Sequence, residues 1–384
     1  MLRTLAVEGY RSLRHLAVPL APLTIVTGEN GSGKSTLYRA LSLLAAAAHD
    51  GAVAALAREG GIGSALWAGP ENGSGRHGGP TQGTVRRRPV SLRVGFSGDD
   101  LGYAIDLGLP TPPTRFVLDP EIKRESVWAG PVLTPAGELV DRANGAVRIR
   151  DDEGRWQQVD HPLRPYESVL GELGDPRGAP ELLALRDRLR RWRFYDQLRT
   201  DAHAPARTDP IATRTVSLAS DGGDLAAAMA TIEDVGDADA LQAAVRSAFP
   251  GSRVQVQERD GRFRLVLHQP GLLRPLSMAE VSDGTLRYLL WVAALGTVRP
   301  PPLLVLNEPE TSLHPGLLPA LAELVAGAAQ RSQVVVVSHS VAFCSLLEQS
   351  SPDSRSVELA RGTDGTVVVD QGRLDEPSWR WPGR

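Results

Sequence analysis

Residues 28–36 read Gly28-Glu29-Asn30-Gly31-Ser32-Gly33-Lys34-Ser35-Thr36, and every fixed position of the pattern G-x-x-x-x-G-K-[ST] is met. The composition follows from what such a loop must do. Glycines let successive backbone N–H groups turn inward around phosphates, and the start of the next helix adds its partial positive charge. Lys34 then reaches the β- and γ-phosphates, and the Ser35 hydroxyl takes a place on Mg²⁺. The alternative is a chance Gly-rich turn, and the flanking sequence argues against it. Residues 23–26 ahead of the loop form a short apolar run. Behind it Leu37, Ala40, Leu41 and Leu44 recur at i, i+3, i+4, i+7, one face of a helix.

A phosphate loop serves many unrelated folds, and the partner carboxylate separates them. Residues 303–306 read as a buried strand that ends in Asn307-Glu308-Pro309-Glu310. Glu308 follows Lys34 by 274 residues, a far wider gap than most phosphate-loop proteins leave. Upstream, Ser282-Asp283-Gly284-Thr285 opens a helix over 285–295, and downstream a strand over 334–337 ends in Ser338-His339-Ser340. Taken singly, Glu308 is equally an ordinary strand-end carboxylate, and His339 a polar cap after a buried strand. Together, continuous apolar strands alternating with helices (a further one over 317–328) predict a parallel sheet covered on both faces.

This order of loop, long insertion, Ser-x-Gly at a helix start, acidic strand end and strand-end histidine resembles ABC-type ATPases. Within them it is similar to the RecF/SMC-like group of AAA-type ATPases. The resemblance rests on GYRSLRHL before the loop, GENGSGKSTL, SDGTLR, LLVLNEPETSLHP and VVVVSHS. In the middle, WRFYDQLRTDAHAPAR, DGGDLAAAMATI and AFPGSR look like a branch of the same group. The fold implied is α/β: a P-loop NTPase with an ABC-type two-lobe head, a mostly parallel core sheet, an antiparallel β part and a helical insertion. Residues 1–84 would form the N-terminal part of the head with the loop. Residues 85–270 would add inserted strands and a helical segment, and 271–384 the C-terminal lobe.

Carried over by position, the resemblance implies ATP and Mg²⁺ as ligands, bound by Gly28, Glu29, Asn30, Gly31, Ser32, Gly33, Lys34, Ser35 and Thr36. Glu308 matches the general base and His339 the switch histidine at the γ-phosphate. Ser282, Asp283 and Gly284 match the signature that closes over ATP on a second protomer, which implies a nucleotide-dependent homodimer. Ser312-Leu313-His314 matches the loop between the two sites. Ser35 and Asn307 fall at the metal positions. Asn307 stands where an Asp is usual, and Asp283 replaces the first glycine of the signature; both point to a slow, gating ATPase. The process implied is DNA repair, maintenance or defence, with DNA or a separate effector protein as further partners. A binder that holds ATP without turnover is the alternative, and a transporter motor subunit is the third reading. The non-transporter insertion and Asp283 count against the last.

Composition bounds the remainder. The 384 residues are 42% apolar and 23% charged, with a net charge of −3 that gives no general pull toward nucleic acid or anionic membrane. Residues 1–19 alternate apolar and polar, so no signal peptide is read, and the richest apolar stretch, 41–57, is interrupted by His49 and Asp50. The expectation is a soluble cytoplasmic protein with no membrane contact. The one cysteine, Cys344, reads as a buried structural thiol. A charged helix is expected over 181–198, where Arg186, Arg188, Arg190, Arg191 and Arg193 beside Trp192 read either as a nucleic-acid contact or, diluted by Glu181 and Asp187, as a solvated face, the second preferred; Arg86–Arg88 read likewise. Residues 69–83 read as a surface loop, and Arg259-Asp260-Gly261 as a hairpin turn. Arg11 and Arg14 read either as nucleotide contacts or as a solvated turn. The segment 201–207 is too irregular for core and too distinctive for a linker.

Overall fold

The computed structural model describes residues 1–69, 91–174, 178–196, 198–372 and 374–383. Its chain divides into two compact units that interleave along the sequence. One takes residues 1–21, 26–192 and 356–384; the other takes 22–25 and 193–355.

The first unit is built on an antiparallel sheet. Leu13–Pro19, Leu2–Tyr10, Leu92–Gly98, Leu101–Gly108, Glu121–Ala129, Glu138–Ala143, Ala146–Arg150 and Trp156–Gln158 follow one another as neighbours. Apolar residues facing one another across the ladder, such as Val7 opposite Val94 and Leu16, hold the register. The helix Lys34–Ala47 buries Leu37, Ala40, Leu41 and Leu44, the stripe that its spacing predicts. The hairpin Arg355–Gly362 and Gly365–Val368 belongs here from Ser356 onward.

The expected helix over 181–198 is shorter. It spans Pro180–Arg190, with Leu182, Leu185 and Leu189 buried. Trp192 leaves the helical line to pack on Phe96, ring centroids 5.4 Å apart. Nor is the arginine run a uniformly solvated face: Arg188 pairs with Asp100, and Arg190 Nε donates to the Ala48 carbonyl at 2.7 Å. Residues 70–83 and Arg86–Arg88 lie outside the described residues.

The second unit carries the parallel strands. Arg193–Tyr195, Leu303–Asn307, Gln333–Val337 and the start of Leu23–Gly28 lie side by side in that order. Leu303–Leu306 and all of Gln333–Val337 are buried, the continuous apolar runs of a sheet covered on both faces. Helices Leu225–Val235, Ala238–Ala248, Asp283–Leu295, Leu318–Ala329 and Val341–Ser350 share their core. Cys344 is buried among them, and burial pushes its thiol pKa up. A small antiparallel sheet, Arg253–Arg259, Arg262–His268 and Leu276–Ser277, completes the unit. Its first turn is Asp260-Gly261, both at positive φ, the two-residue hairpin that the sequence predicts.

Candidate functional site

In the first unit, the strand Leu23–Gly28 runs straight into the phosphate loop, and helix Lys34–Ala47 follows without a break. Gly28 and Gly33 sit at φ 141° and 106°, backbone that L side chains rarely adopt. A Cβ on Gly28 would come within 2.2 Å of the Leu359 carbonyl oxygen, and one on Gly33 within 2.6 Å of Thr366 Oγ1. Both glycines are therefore required by close packing against the hairpin Arg355–Gly362 and Gly365–Val368.

Glu29, Asn30, Gly31 and Ser35 are exposed, while Ser32, Lys34 and Thr36 are buried. The Lys34 ammonium donates to the Gly28 carbonyl at 2.5 Å and the Glu29 carbonyl at 3.0 Å, which curls the loop over its own lysine. The helix start has neither a side-chain cap nor an acidic residue in its first turn. Its leading N–H groups and dipole are thus left for an external anion. The Ser32 hydroxyl, 2% exposed, has no hydrogen-bond partner within the protein. An orphaned buried donor beside an uncapped helix start fits a phosphate oxygen as its acceptor.

Arg11 and Arg14, ahead of the loop, are both engaged with carboxylates. Arg11 Nη2 donates to Glu59 Oε2 at 2.6 Å, and Arg14 lies 3.3 Å from Asp364. Neither side chain is a free cation for a nucleotide, nor a merely solvated turn residue.

In the second unit, three parallel strands end at one level. Asn307 is in register with Val337, and Tyr195 with Leu306. Chemistry in such sheets gathers at the carboxyl ends of the strands. Glu308 leaves its strand at φ 48°, a left-handed conformation that costs a non-glycine residue about 1–3 kcal/mol. Its N–H donates to the Val337 carbonyl at 2.7 Å, which holds the turn. The side chain is 42% exposed, with Oε1 3.5 Å from His339 Nδ1 and Oε2 3.5 Å from Thr311 Oγ1.

Glu310, singled out for no role by its sequence position, is the buried carboxylate beneath this pair. It accepts from Ser338 Oγ at 2.5 Å and from the His339 N–H at 3.3 Å, and lies 3.8 Å from His339 Nδ1. Its other oxygen is buried without a partner. Two acidic residues spaced i, i+2 after a buried strand were the available signal: one turns outward, the other inward. Asn307 Nδ2 donates to Asp196 Oδ1 at 2.7 Å.

Ser282 caps helix Asp283–Leu295, accepting from the Thr285 N–H at 3.2 Å. Asp283 takes a helix first turn, where a carboxylate is favoured, and receives Arg207 Nη2 at 2.6 Å. The charge in the signature segment is therefore paired with a guanidinium. Gly284 lies near the Ser312 carbonyl.

Arg207 also donates to the carbonyls of Thr200, Asp201, Met278 and Val281, so the segment 201–207 is the seat of a clamp on the residues before the signature. No sequence pattern signalled it, because Met278, Val281 and Asp283 lie more than 70 residues along the chain. Arg207→Ala strips partners from these largely buried acceptors. It should lower the free energy of unfolding by about 2–3 kcal/mol in urea titrations. Arg207→Lys should recover less than half of this, since an ammonium cannot span the same acceptors.

Fold and loop together define a P-loop ATPase head of the ABC type. The sequence profile described as "AAA domain, putative AbiEii toxin, Type IV TA system" matches residues 23–345, and the chain belongs to that family. An OLD nuclease of Thermus scotoductus is 46% identical over 44 residues, which span 12% of this chain and 8% of that nuclease. Among solved structures, the SMC head bound to the C-winged helix domain of ScpA is similar, with a TM-score of 0.57 at 13% identity. That match covers 96% of this chain and 97% of the other. The Smc head of Pyrococcus furiosus, with an extended coiled coil and bound to the C-terminal domain of ScpA, matches with a TM-score of 0.53 at 12% identity. It covers 96% and 95% of the two chains. These likenesses identify the chain as a RecF/SMC-like ATPase in fold. Among the described residues, no helix is long and apolar enough to cross a membrane.

Proposed function

We propose that this chain binds Mg·ATP on residues 28–36 and hydrolyses it slowly, in a homodimer that closes only when nucleotide is bound. The observation that carries the reading is the outward-turned Glu308 at the parallel strand ends, with Thr311 Oγ1 and His339 Nδ1 each 3.5 Å from one of its oxygens and the buried Glu310 behind it. Glu308 is the base that polarises water, and His339 contacts the γ-phosphate. Lys34 and the loop N–H groups hold the β- and γ-phosphates. Among the described residues no group of three or more His, Cys, Asp or Glu side chains is arranged to hold a metal ion. Ser35 and Asn307 would hold the magnesium that accompanies the nucleotide. Bound there, it neutralises phosphate charge during transfer.

Slow turnover follows from the neutral Asn307 at a metal position and from Asp283 in the signature. On this reading residues 1–84 contribute the loop, 271–384 the signature and base, and 85–270 the inserted strands and helical segment. The family description and the short match to an OLD nuclease support a role in defence or DNA maintenance. The SMC heads seated on ScpA support a separate effector protein as partner. Location is cytoplasmic. Asn307, a neutral amide at a metal position, favours a second reading: an ATP-holding scaffold without turnover. Phosphate release at saturating Mg·ATP separates the two.

Assembly is tested by mixing. Ser282→Arg should block closure over a second copy's nucleotide while ATP binding in its own loop survives. The lost cap should cost only about 1 kcal/mol. Lys34→Ala has the reverse defect. Combined, the two form one hybrid site with a good loop facing a good signature, and one with both faults. Partial hydrolysis recovered from two individually inactive proteins requires catalysis in trans. No recovery, with a Glu308→Gln protein that stays monomeric in ATP, removes the dimer mechanism.

A further inference from the structure

Within the second unit, helices Ala238–Ala248 and Leu318–Ala329 run antiparallel over helix Asp283–Leu295, and a cavity of about 620 Å³ lies between them. Three bonds set the directions. Ser247 Oγ, late in the first helix, donates to Glu323 Oε2, early in the second, at 3.3 Å. Tyr288 Oη, early in the floor helix, donates to the Ala244 carbonyl at 2.9 Å. Arg331, just past the second helix, donates to the Leu295 carbonyl at the end of the floor helix, at 2.8 Å. The cavity thus runs from Ser247 and Glu323 at one end to Asp237 and Arg331 at the other. Its length is about 15 Å, the rise of the helix between Asp237 and Ser247.

The lining asks for apolar surface in the middle and opposite charges at the ends. Tyr288, Val292 and Leu295 make a buried floor, while Ala240, Ala243 and Gly327 stand exposed on the walls. The Tyr288 hydroxyl is already bonded to Ala244. Leu318–Ala329 carries one charged residue, Glu323, and a helix apolar nearly all round is normally covered on every side. Glu323 and Arg331 are set about 12 Å apart along the axis. Glu323 bonds to a hydroxyl and Arg331 to two carbonyls, so these partners neutralise neither charge. Asp237 caps its own helix, accepting from the Ala240 N–H at 2.8 Å.

We propose that this cavity is the docking groove for an amphipathic helix of a partner protein, with its N-terminus at Glu323 and its C-terminus at Arg331. An apolar rod that is positive at one end and negative at the other is what an α-helix presents, through the partial charges of its terminal N–H and C=O groups. Glu323 faces the first and Arg331 the second, so the partner helix lies parallel to Leu318–Ala329. Its apolar stripe rests on Tyr288, Val292 and Leu295, in the manner of helix-in-groove recognition. The small walls at Ala240, Ala243 and Gly327 let its backbone come close and leave room for long side chains such as leucine. The inference makes no use of the nucleotide reading and stands if that reading fails.

The probe is a fluorescent, hydrocarbon-stapled helical peptide, acetylated and amidated, with leucine at i, i+4, i+7 and i+11 and glutamine elsewhere. Anisotropy with the full chain should show saturable binding. Gly327→Leu fills the groove: a Cβ there meets nothing within 4 Å, and leucine suits a helix interior better than glycine. This variant should therefore keep its thermal midpoint and bind the peptide about 10-fold more weakly or worse. Ala243→Arg, at an exposed position on the opposite wall, should do the same, and decides alone if Gly327→Leu folds poorly. A nitroxide on the peptide's N-terminus should broaden the amide signal of Glu323 more than that of Arg331. Parental affinity in the folded variants, or the reverse broadening, overturns the proposal. So does a parent that binds anilinonaphthalene sulfonate in the groove but not the peptide, which makes the site one for small apolar molecules. Self-association of the parent that Gly327→Leu abolishes gives the groove to a second copy and also overturns it.

Discussion

Glu308→Gln retains ATP binding and loses hydrolysis by about 10²-fold or more, the usual worth of a positioned general base. The substitution is nearly isosteric, and both neighbours of the carboxylate tolerate an amide. Thr311 can donate to its oxygen, and His339 can accept from or donate to it across the 3.5 Å gap. The backbone turn is held by the Glu308 N–H bond to Val337, which does not depend on the side chain. What the amide cannot do is take a proton from the attacking water. Single-turnover phosphate release beside calorimetric ATP affinity measures both halves. Hydrolysis at the parental rate would move the base elsewhere, with Glu310 excluded by its burial and its bonds to Ser338 and His339. The same variant should accumulate the ATP-bound assembly, which makes it the bait for finding the partner.

Lys34→Ala acts one step earlier. Lys34 is 7% exposed and its ammonium donors are aimed along the loop at Gly28 and Glu29. Removing it deletes charge-assisted bonds to the β- and γ-phosphates and also frees the loop that it curls. ATP affinity should weaken by about 2–4 kcal/mol. Unfolding should be affected far less, because helix Lys34–Ala47 is anchored by Leu37, Ala40, Leu41 and Leu44, not by the lysine. An unchanged ATP affinity in a folded protein would remove the phosphate loop from the account.

Much of the fold was legible in the sequence because its signals are local. The loop needs glycines within a few residues of a lysine, and the helix after it shows a 3.6-residue stripe. The strands Leu303–Asn307 and Gln333–Val337 are unbroken apolar runs bounded by turns. Backbone sterics and periodic burial act over a handful of positions, so the loop 28–36 and the Asp260-Gly261 turn could be placed without a third dimension.

Other features depend on contacts across long stretches of chain. Helix Pro180–Arg190 stops short because Trp192 packs on Phe96, and Arg193–Tyr195 is a strand of only three residues, too brief to show a period. Arg207 reads as one more surface arginine until the carbonyls of Met278 and Val281 close on it. Asp196 and Asn307 are 111 residues apart and look unrelated until parallel register sets them side by side. The sequence alone determined which chemical groups the protein carries and the local backbone that presents them. Only the tertiary structure decided which charge is neutralised and which is kept, because Coulombic and hydrogen-bond energies depend on separation in space and not along the chain.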